Sequence, residues 1–197
     1  MKRCFDLFVS ILILGLSFPV MGLLGLLIRL TMGSKVLFRQ ARPGLDGKLF
    51  TVLKFRSMNN STDINGHLLG DEERLTALGQ LMRRSSLDEL PQLWNVFLGE
   101  MSLVGPRPLL PEYLPLYNER QIRRHEVLPG ITGLAQVTGR NALAWESRLE
   151  LDVQYVEQQS FQLDMKILWM TIICVWNRSG ITHEGHATMP KFSGSIK

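Results

Sequence analysis

Cysteine is scarce in this chain: only Cys4 and Cys174 are present among 197 residues, both in apolar surroundings and without metal-ligand spacing. This argues against a disulfide scaffold or a thiolate metal site, and fits a reducing compartment with inert thiols. Histidine is also rare, with four residues. Its one dense stretch, His183-Glu184-Gly185-His186, lacks the spacing of a zinc-binding helix and reads as a surface segment. Acidic residues are fewer than basic ones, 18 against 22, for a net charge of +4. The excess favours anionic partners (phospholipid headgroups, nucleotides or phosphates) without choosing among them. Aromatic residues, 8% of the chain, do not interleave with the basic ones, which speaks against a nucleic-acid binder. No internal repeat, dividing linker or Walker-type phosphate loop is present. The length suits one compact domain with an appendage, built on one hydrophobic core.

Charge is also missing locally. No residue from Leu7 to Ile28 is charged. A straight helix of that length reaches about 33 Å, enough for a bilayer core of about 30 Å. A signal peptide fits poorly, because the run is long and no small-residue cleavage site follows it. Pro19 lies mid-run, where it removes a backbone donor and clashes with the preceding turn. Basic residues flank both ends: Lys2 and Arg3 before, then Arg29, Lys35, Arg39 and Arg42 after. A spanning helix would strand one cluster outside, whereas a helix-break-helix hairpin that dips in and returns keeps both inside. The charges favour re-entry over a single kinked span.

Beyond the membrane segment, Val36–Arg42 and Phe50–Met58 read as strands joined by the turn Pro43-Gly44-Leu45-Asp46-Gly47. Asn59–Gly66 is a polar loop. Asp71–Arg84 has helical spacing, with Leu75, Leu78, Leu81 and Met82 on one face. A second helix covers Leu90–Leu98, and Gly99 stops it. Gly105-Pro106-Arg107-Pro108 and Pro129-Gly130-Ile131-Thr132-Gly133 read as rigid loops rather than regular elements. Helices are expected over Pro111–Glu126 in pieces, Trp145–Gln158 and Leu163–Asn177. The apolar stretch Ile167–Trp176 is too short to span and reads as core with one face near the membrane.

Adjacent acids at Asp88-Glu89 stand out among the polar residues. The bland reading is strong, because Ser86 with Glu89 three residues on is a capping box, and acids in a first turn offset the helix dipole. Their company favours chemistry: Arg83 and Arg84 before them, Arg107 between two prolines, and Arg140 after Gly139. Fixed guanidinium forks suit phosphate oxygens. A carboxylate among them can act as a nucleophile or hold a magnesium ion. Gly130, Gly133 and Gly139 let backbone amides approach an anion. Arg120, Arg123 and Arg124 either meet lipid headgroups or form a solvated face.

Four motifs occur in fixed order: Lys54-Phe55-Arg56-Ser57-Met58, Ser86-Leu87-Asp88-Glu89-Leu90-Pro91-Gln92-Leu93-Trp94-Asn95-Val96, Met101-Ser102-Leu103-Val104-Gly105-Pro106-Arg107-Pro108 and Pro129-Gly130-Ile131-Thr132-Gly133. Together they resemble the bacterial sugar transferase family, the small monotopic phosphoglycosyl transferases, over essentially the whole chain. The tail Glu184-Gly185-His186 with Lys191-Phe192, and the stretch Arg107–Tyr117, look most like the branch that handles UDP-N,N′-diacetylbacillosamine in protein glycosylation.

The resemblance implies a mostly helical α+β fold: a re-entrant membrane hairpin over 1–32 and a compact cytoplasmic catalytic domain over 33–197 with a small β-hairpin. It implies Asp88 as nucleophile with Glu89 assisting, a magnesium ion held by one or both, and Lys54, Arg83, Arg107 and Arg140 handling phosphate or substrate. It further implies UDP-sugar and undecaprenyl phosphate as substrates at the cytoplasmic face of the bacterial inner membrane. A homodimer is the self-association kept open. One departure is plain: the family usually has Ser directly before the helix-breaking proline, whereas Phe18 precedes Pro19 here and Ser17 lies one further back. Two alternatives accompany this reading: the same chemistry on another UDP-sugar for O-antigen or capsule, and a non-catalytic, membrane-anchored subunit of a glycan assembly complex.

Overall fold

The computed structural model describes residues 1–139, 143–176 and 192–194. Helix α1 (Lys2–Met32) carries Pro19 inside it without interruption, so the two arms foreseen around the proline belong to one element. Its less exposed residues fall at helical spacing, Arg3, Asp6, Ser10, Leu14, Ser17, Met21, Leu24, Ile28 and Met32, so one face turns toward the rest of the protein. Both ends are fastened there. At the start, Lys2 Nζ donates to Asp164 at 2.6 Å and to the Val104 carbonyl at 3.1 Å, and Arg3 donates to the carbonyls of Val96 and Phe97. Ser102 Oγ donates to the buried Asp6 at 2.7 Å. At the other end Leu24 and Ile28 pack with Phe55 and Met82, and Arg56 donates to the Met32 carbonyl. The opposite face leaves Phe8, Leu16, Phe18 and Leu30 each about two-thirds or more exposed. Such an apolar face is characteristic of a surface that meets lipid or protein rather than water.

Strands β1 (Leu37–Pro43) and β2 (Leu49–Phe55) form the expected antiparallel hairpin, with Leu37 opposite Phe55 and Pro43 opposite Leu49. The helical pattern over 71–84 is split into α2 (Asp71–Arg74) and α3 (Ala77–Arg84). Thr76 causes the split, since its hydroxyl accepts from the Gly79 amide at 3.0 Å and starts a new helix. Helix α4 (Gln92–Leu98) ends at Gly99, whose φ of 87° is left-handed.

The two stretches expected as loops contain regular structure. Strands β3 (Ser102–Val104) and β4 (Gly130–Thr132) pair in parallel. Their glycines serve chain packing: a Cβ on Gly130 would lie 2.1 Å from the Gly105 nitrogen, and one on Gly133 would lie 2.2 Å from the Gly105 oxygen. Gly130 and Gly133 therefore approach backbone, and a Cβ on Gly139 would meet the Leu143 side chain. The anion approach expected of these three glycines is replaced by close packing.

Short 3₁₀ turns cover Pro111–Leu116 and Gln121–His125, followed by α5 (Leu134–Thr138), α6 (Trp145–Gln158) and α7 (Phe161–Trp176). The main core gathers Leu93, Val96, Met101, Leu103, Val104, Val137, Tyr155 and Ile167 from α4, β3, α5, α6 and α7. Helix α7 has the expected two faces: Ile167 is fully buried, while Trp169, Ile172 and Trp176 are exposed.

Candidate active site

The paired acids sit in the 3₁₀ turn Leu87–Glu89 between α3 and α4. Ser86 adopts a left-handed φ of 56° and makes no side-chain cap, and the capping-box reading fails for that reason. The Glu89 carboxylate points elsewhere. Lys54 Nζ, from β2, donates to Glu89 Oε1 at 2.7 Å, and Arg107 donates to both of its oxygens. The Pro106 and Pro108 rings restrict the backbone that carries Arg107.

A second buried pair fixes that loop from behind. Arg124 donates to the Arg107 carbonyl at 2.7 Å and, through Nε and Nη2, to Asp152 on α6. Both side chains are almost fully buried. Arg124 therefore does not meet lipid headgroups. Arg120 and Arg123 are exposed but occupied, with Glu150 and Glu157 holding the first, and Glu126 and Glu157 the second.

The two acids have opposite electrostatics. Burial, and then the charge of Glu89, push the Asp88 carboxyl up to about 6 against the pull of Lys54, Arg107 and Arg83. Burial also opposes ionisation of Glu89, but Arg107 and Lys54 overcome it and hold that carboxyl well below the usual carboxylate range. The Glu89 charge in turn raises Arg107. Among the described residues no group hydrogen-bonds the Asp88 carboxylate, whereas both oxygens of Glu89 are engaged. One acid is locked as an anion. The other is available.

Asp88, Glu89, Lys54, Arg83 and Arg107 all line one open cleft of about 1820 Å³. Arg83 donates to Ser57 Oγ at 3.0 Å on its wall. Arg140 and the His183–His186 stretch lie outside the described residues. Eleven basic residues line the cleft against five acidic ones, so it suits a ligand carrying several negative charges. Ile13 of α1 lines it too, and the cleft therefore reaches the apolar helix. Sequence reasoning missed Arg42, which reads as a mere flanking charge but lines this cleft, and the Arg124–Asp152 pair.

No group of three or more metal-type ligands occurs among the described residues. Magnesium needs no such cage, since one carboxylate, substrate phosphates and water commonly hold it. Asp88 fits that role, and Glu89, with both oxygens taken by cations, does not.

The model of the family described as bacterial sugar transferase matches residues 1–178. The chain is 53% identical to the uncharacterized sugar transferase EpsL of Bacillus subtilis, over 99% of this chain and 96% of that one. It is 42% identical to an undecaprenyl-phosphate glucose phosphotransferase of Komagataeibacter xylinus, covering 87% of this chain but 35% of that longer protein. It is 36% identical to the exopolysaccharide production protein ExoY of Rhizobium meliloti, over 88% of this chain and 84% of that one. With more than half of its length matched by the family model, the chain belongs to the bacterial sugar transferase family.

Proposed function

We propose that this sugar-phosphate transferase moves a sugar 1-phosphate from a UDP-sugar to undecaprenyl phosphate in two half-reactions. Asp88 attacks the sugar-side phosphorus and UMP leaves; the lipid phosphate then attacks the aspartyl phosphosugar. The observation that carries this is the divided fate of the acids: among the described residues no group hydrogen-bonds the Asp88 carboxylate, whereas Glu89 is clamped between Lys54 and Arg107. A nucleophile must also be ionised at working pH, and a carboxyl near 6 meets that condition above neutrality. Glu89, held as an anion by two cations, is a poor proton carrier. Its role is to fix Lys54 and Arg107 where charge builds on the transferring phosphoryl group. Arg83 adds a further cation on the same wall. Asp88 is the residue that would hold magnesium, which would supply further charge neutralisation there.

The test is purified enzyme given UDP-sugar and magnesium without lipid. Up to one UMP per site should appear, and the Asp88 peptide should gain one phosphosugar in a rapid quench. Asp88→Asn should abolish both, which also separates an enzyme from a non-catalytic assembly subunit. UMP formation strictly dependent on lipid, with no adduct, would refute the covalent step.

The sugar we propose is UDP-N,N′-diacetylbacillosamine. Support comes from the two stretches that resemble that branch; Phe192, the described residue of the tail motif, packs against Tyr113, Tyr117 and Trp145, and its amide donates to Tyr113 Oη. Tyr113 also lines the cleft. Relatives named for glucose and galactose make those hexoses the competitors. A panel of the three UDP-sugars, read by UMP release, decides between protein glycosylation and polysaccharide assembly.

We further propose a monotopic placement at the cytoplasmic face of the inner membrane. Its support is that both ends of α1 are fastened to one domain, which a spanning helix would place on opposite sides of the bilayer.

A further inference from the structure

The positive charge of the cleft extends beyond the neighbourhood of Asp88. Arg42, from β1, is half-buried on its wall, and its hydrogen bond goes to the neutral amide oxygen of Gln40 at 2.7 Å. No carboxylate pairs with it among the described residues. Arg148, from α6, lines the same cleft with its guanidinium 5.0 Å from the centre of the Trp145 ring. Arg42 and Arg107 line the same cleft, and burial and then the Arg107 charge lower the Arg42 guanidinium. Burial likewise lowers Arg148, with Arg107 among the charges acting on it. A half-buried cation whose hydrogen bond goes to a neutral amide is costly until an anion completes the site.

With Asp88 as the nucleophile, the premise on which this subsite rests, the chemistry fixes where such an anion must lie. In the first half-reaction an Asp88 oxygen bonds to the sugar-side phosphorus. The bond from that phosphorus to the bridging oxygen breaks, and its electron pair leaves on UMP. In the second, an oxygen of the lipid phosphate bonds to the same phosphorus. The Asp88–phosphorus bond breaks and its electron pair returns to the carboxylate, leaving a polyprenyl diphosphosugar. Attacking and leaving oxygens are roughly in line at phosphorus. The departing UMP oxygen and the arriving lipid oxygen therefore both stand opposite Asp88. They occupy the same place in turn.

We propose that Arg42, with Arg107 and Arg148, forms a single phosphate subsite used twice, first by the nucleotide-side phosphate of the UDP-sugar and then by the phosphate of the lipid acceptor. One set of guanidiniums serves both half-reactions because the two phosphates are never bound together.

Product inhibition of the full-length enzyme tests this, with UMP and undecaprenyl phosphate as the probes. UMP should compete with undecaprenyl phosphate, since both bind the phosphosugar form. Arg42→Ala should weaken UMP inhibition and raise the KM for undecaprenyl phosphate by a common factor, about 10-fold or more for a charged hydrogen bond. The UMP burst at saturating UDP-sugar counts folded sites in the variant, and the wild-type inhibition pattern stands even if the variant does not fold. Noncompetitive inhibition by UMP against the lipid, with the burst intact, would overturn the shared subsite and leave the covalent step standing. So would an Arg42→Ala effect on one ligand and not the other. Absence of the burst in wild type would overturn both, because direct transfer needs the two phosphates bound at once.

Discussion

Asp88→Asn should make the protein more stable while it abolishes turnover. Burial and the Glu89 charge hold the Asp88 carboxyl near 6, against 3.8 for an unstrained aspartate. A carboxyl raised on folding binds its proton more tightly in the native state than in the unfolded one. Stability therefore falls as pH rises from about 4 through about 6, and above that the full cost is present. At about 1.36 kcal/mol per pK unit, ionised Asp88 costs roughly 3 kcal/mol. An amide carries no such cost, so the variant should gain up to about 3 kcal/mol at pH 7.5 and nothing near pH 4. For a chain of this size that is an upward shift of roughly 6–12 °C in Tm. Thermal unfolding of both proteins in the same detergent across pH 4–8 measures it. A variant that is equally or less stable at pH 7.5 would refute the reasoning and return Asp88 to a structural role.

The rate of the UMP burst should fall at acid pH as Asp88 takes up its proton, at or below about pH 6 because magnesium on Asp88 would favour its ionised form. Glu89→Gln removes the charge that helps raise Asp88, so it should move that acid limb to lower pH. Its rate at pH 7.5 should drop as Lys54 and Arg107 lose their shared partner, on the order of 100-fold for a lost electrostatic support. Arg107→Lys should cost substantial turnover, because an ammonium cannot reproduce a fork on two oxygens; normal kcat would reduce Arg107 to a turn residue. Asp152→Asn leaves Arg124 buried without its counter-charge and should destabilise the fold by about 3–5 kcal/mol, read by denaturant unfolding. With native Cys4 as reporter at one end and Lys35→Cys at the other, in a Cys174→Ala background, both thiols should resist an impermeant reagent in intact cells. Labelling of one end alone would establish a spanning helix.

Local pattern carried the hairpin, α4 and α6, since alternation and helical spacing are properties of neighbours in sequence. The acid pair shows where local reading stops. Ser86 and Glu89 have the spacing of a capping box, but the partners of Glu89 come from Lys54 and Arg107, 35 and 18 residues away. Tertiary ion pairs drew the carboxylate away from the helix start, and no window of sequence contains them. The same is true of Arg124, whose partners are the Arg107 carbonyl and Asp152. Among three arginines in five residues, only that one is buried, and the spacing gives no sign of which. Gly130 and Gly133 misled for a related reason: an invitation to close approach does not say whether an anion or another strand will accept it.

Strand β3 links helix α1 to the cleft. Asp6 accepts from Ser102 at its start, and Lys2 donates to the Val104 carbonyl at its end. The Tyr155 hydroxyl shares its one proton between that same carbonyl at 3.0 Å and Asp164 at 2.7 Å, and Asp164 also holds Lys2. The residues that follow immediately are Gly105, Pro106 and Arg107. The first turns of α1 and the arginine that grips Glu89 are thus referenced to one three-residue strand, with two prolines suppressing slack between them. At the far end, Leu24 and Ile28 pack on Phe55, which directly follows Lys54. Each cation that clamps Glu89 therefore sits beside an element that receives one end of α1. In the proposed reaction a lipid-borne phosphate meets a phosphoryl group on Asp88. Fastening both clamping cations to the apolar helix would let the lipid and the chemistry of that reaction share one frame.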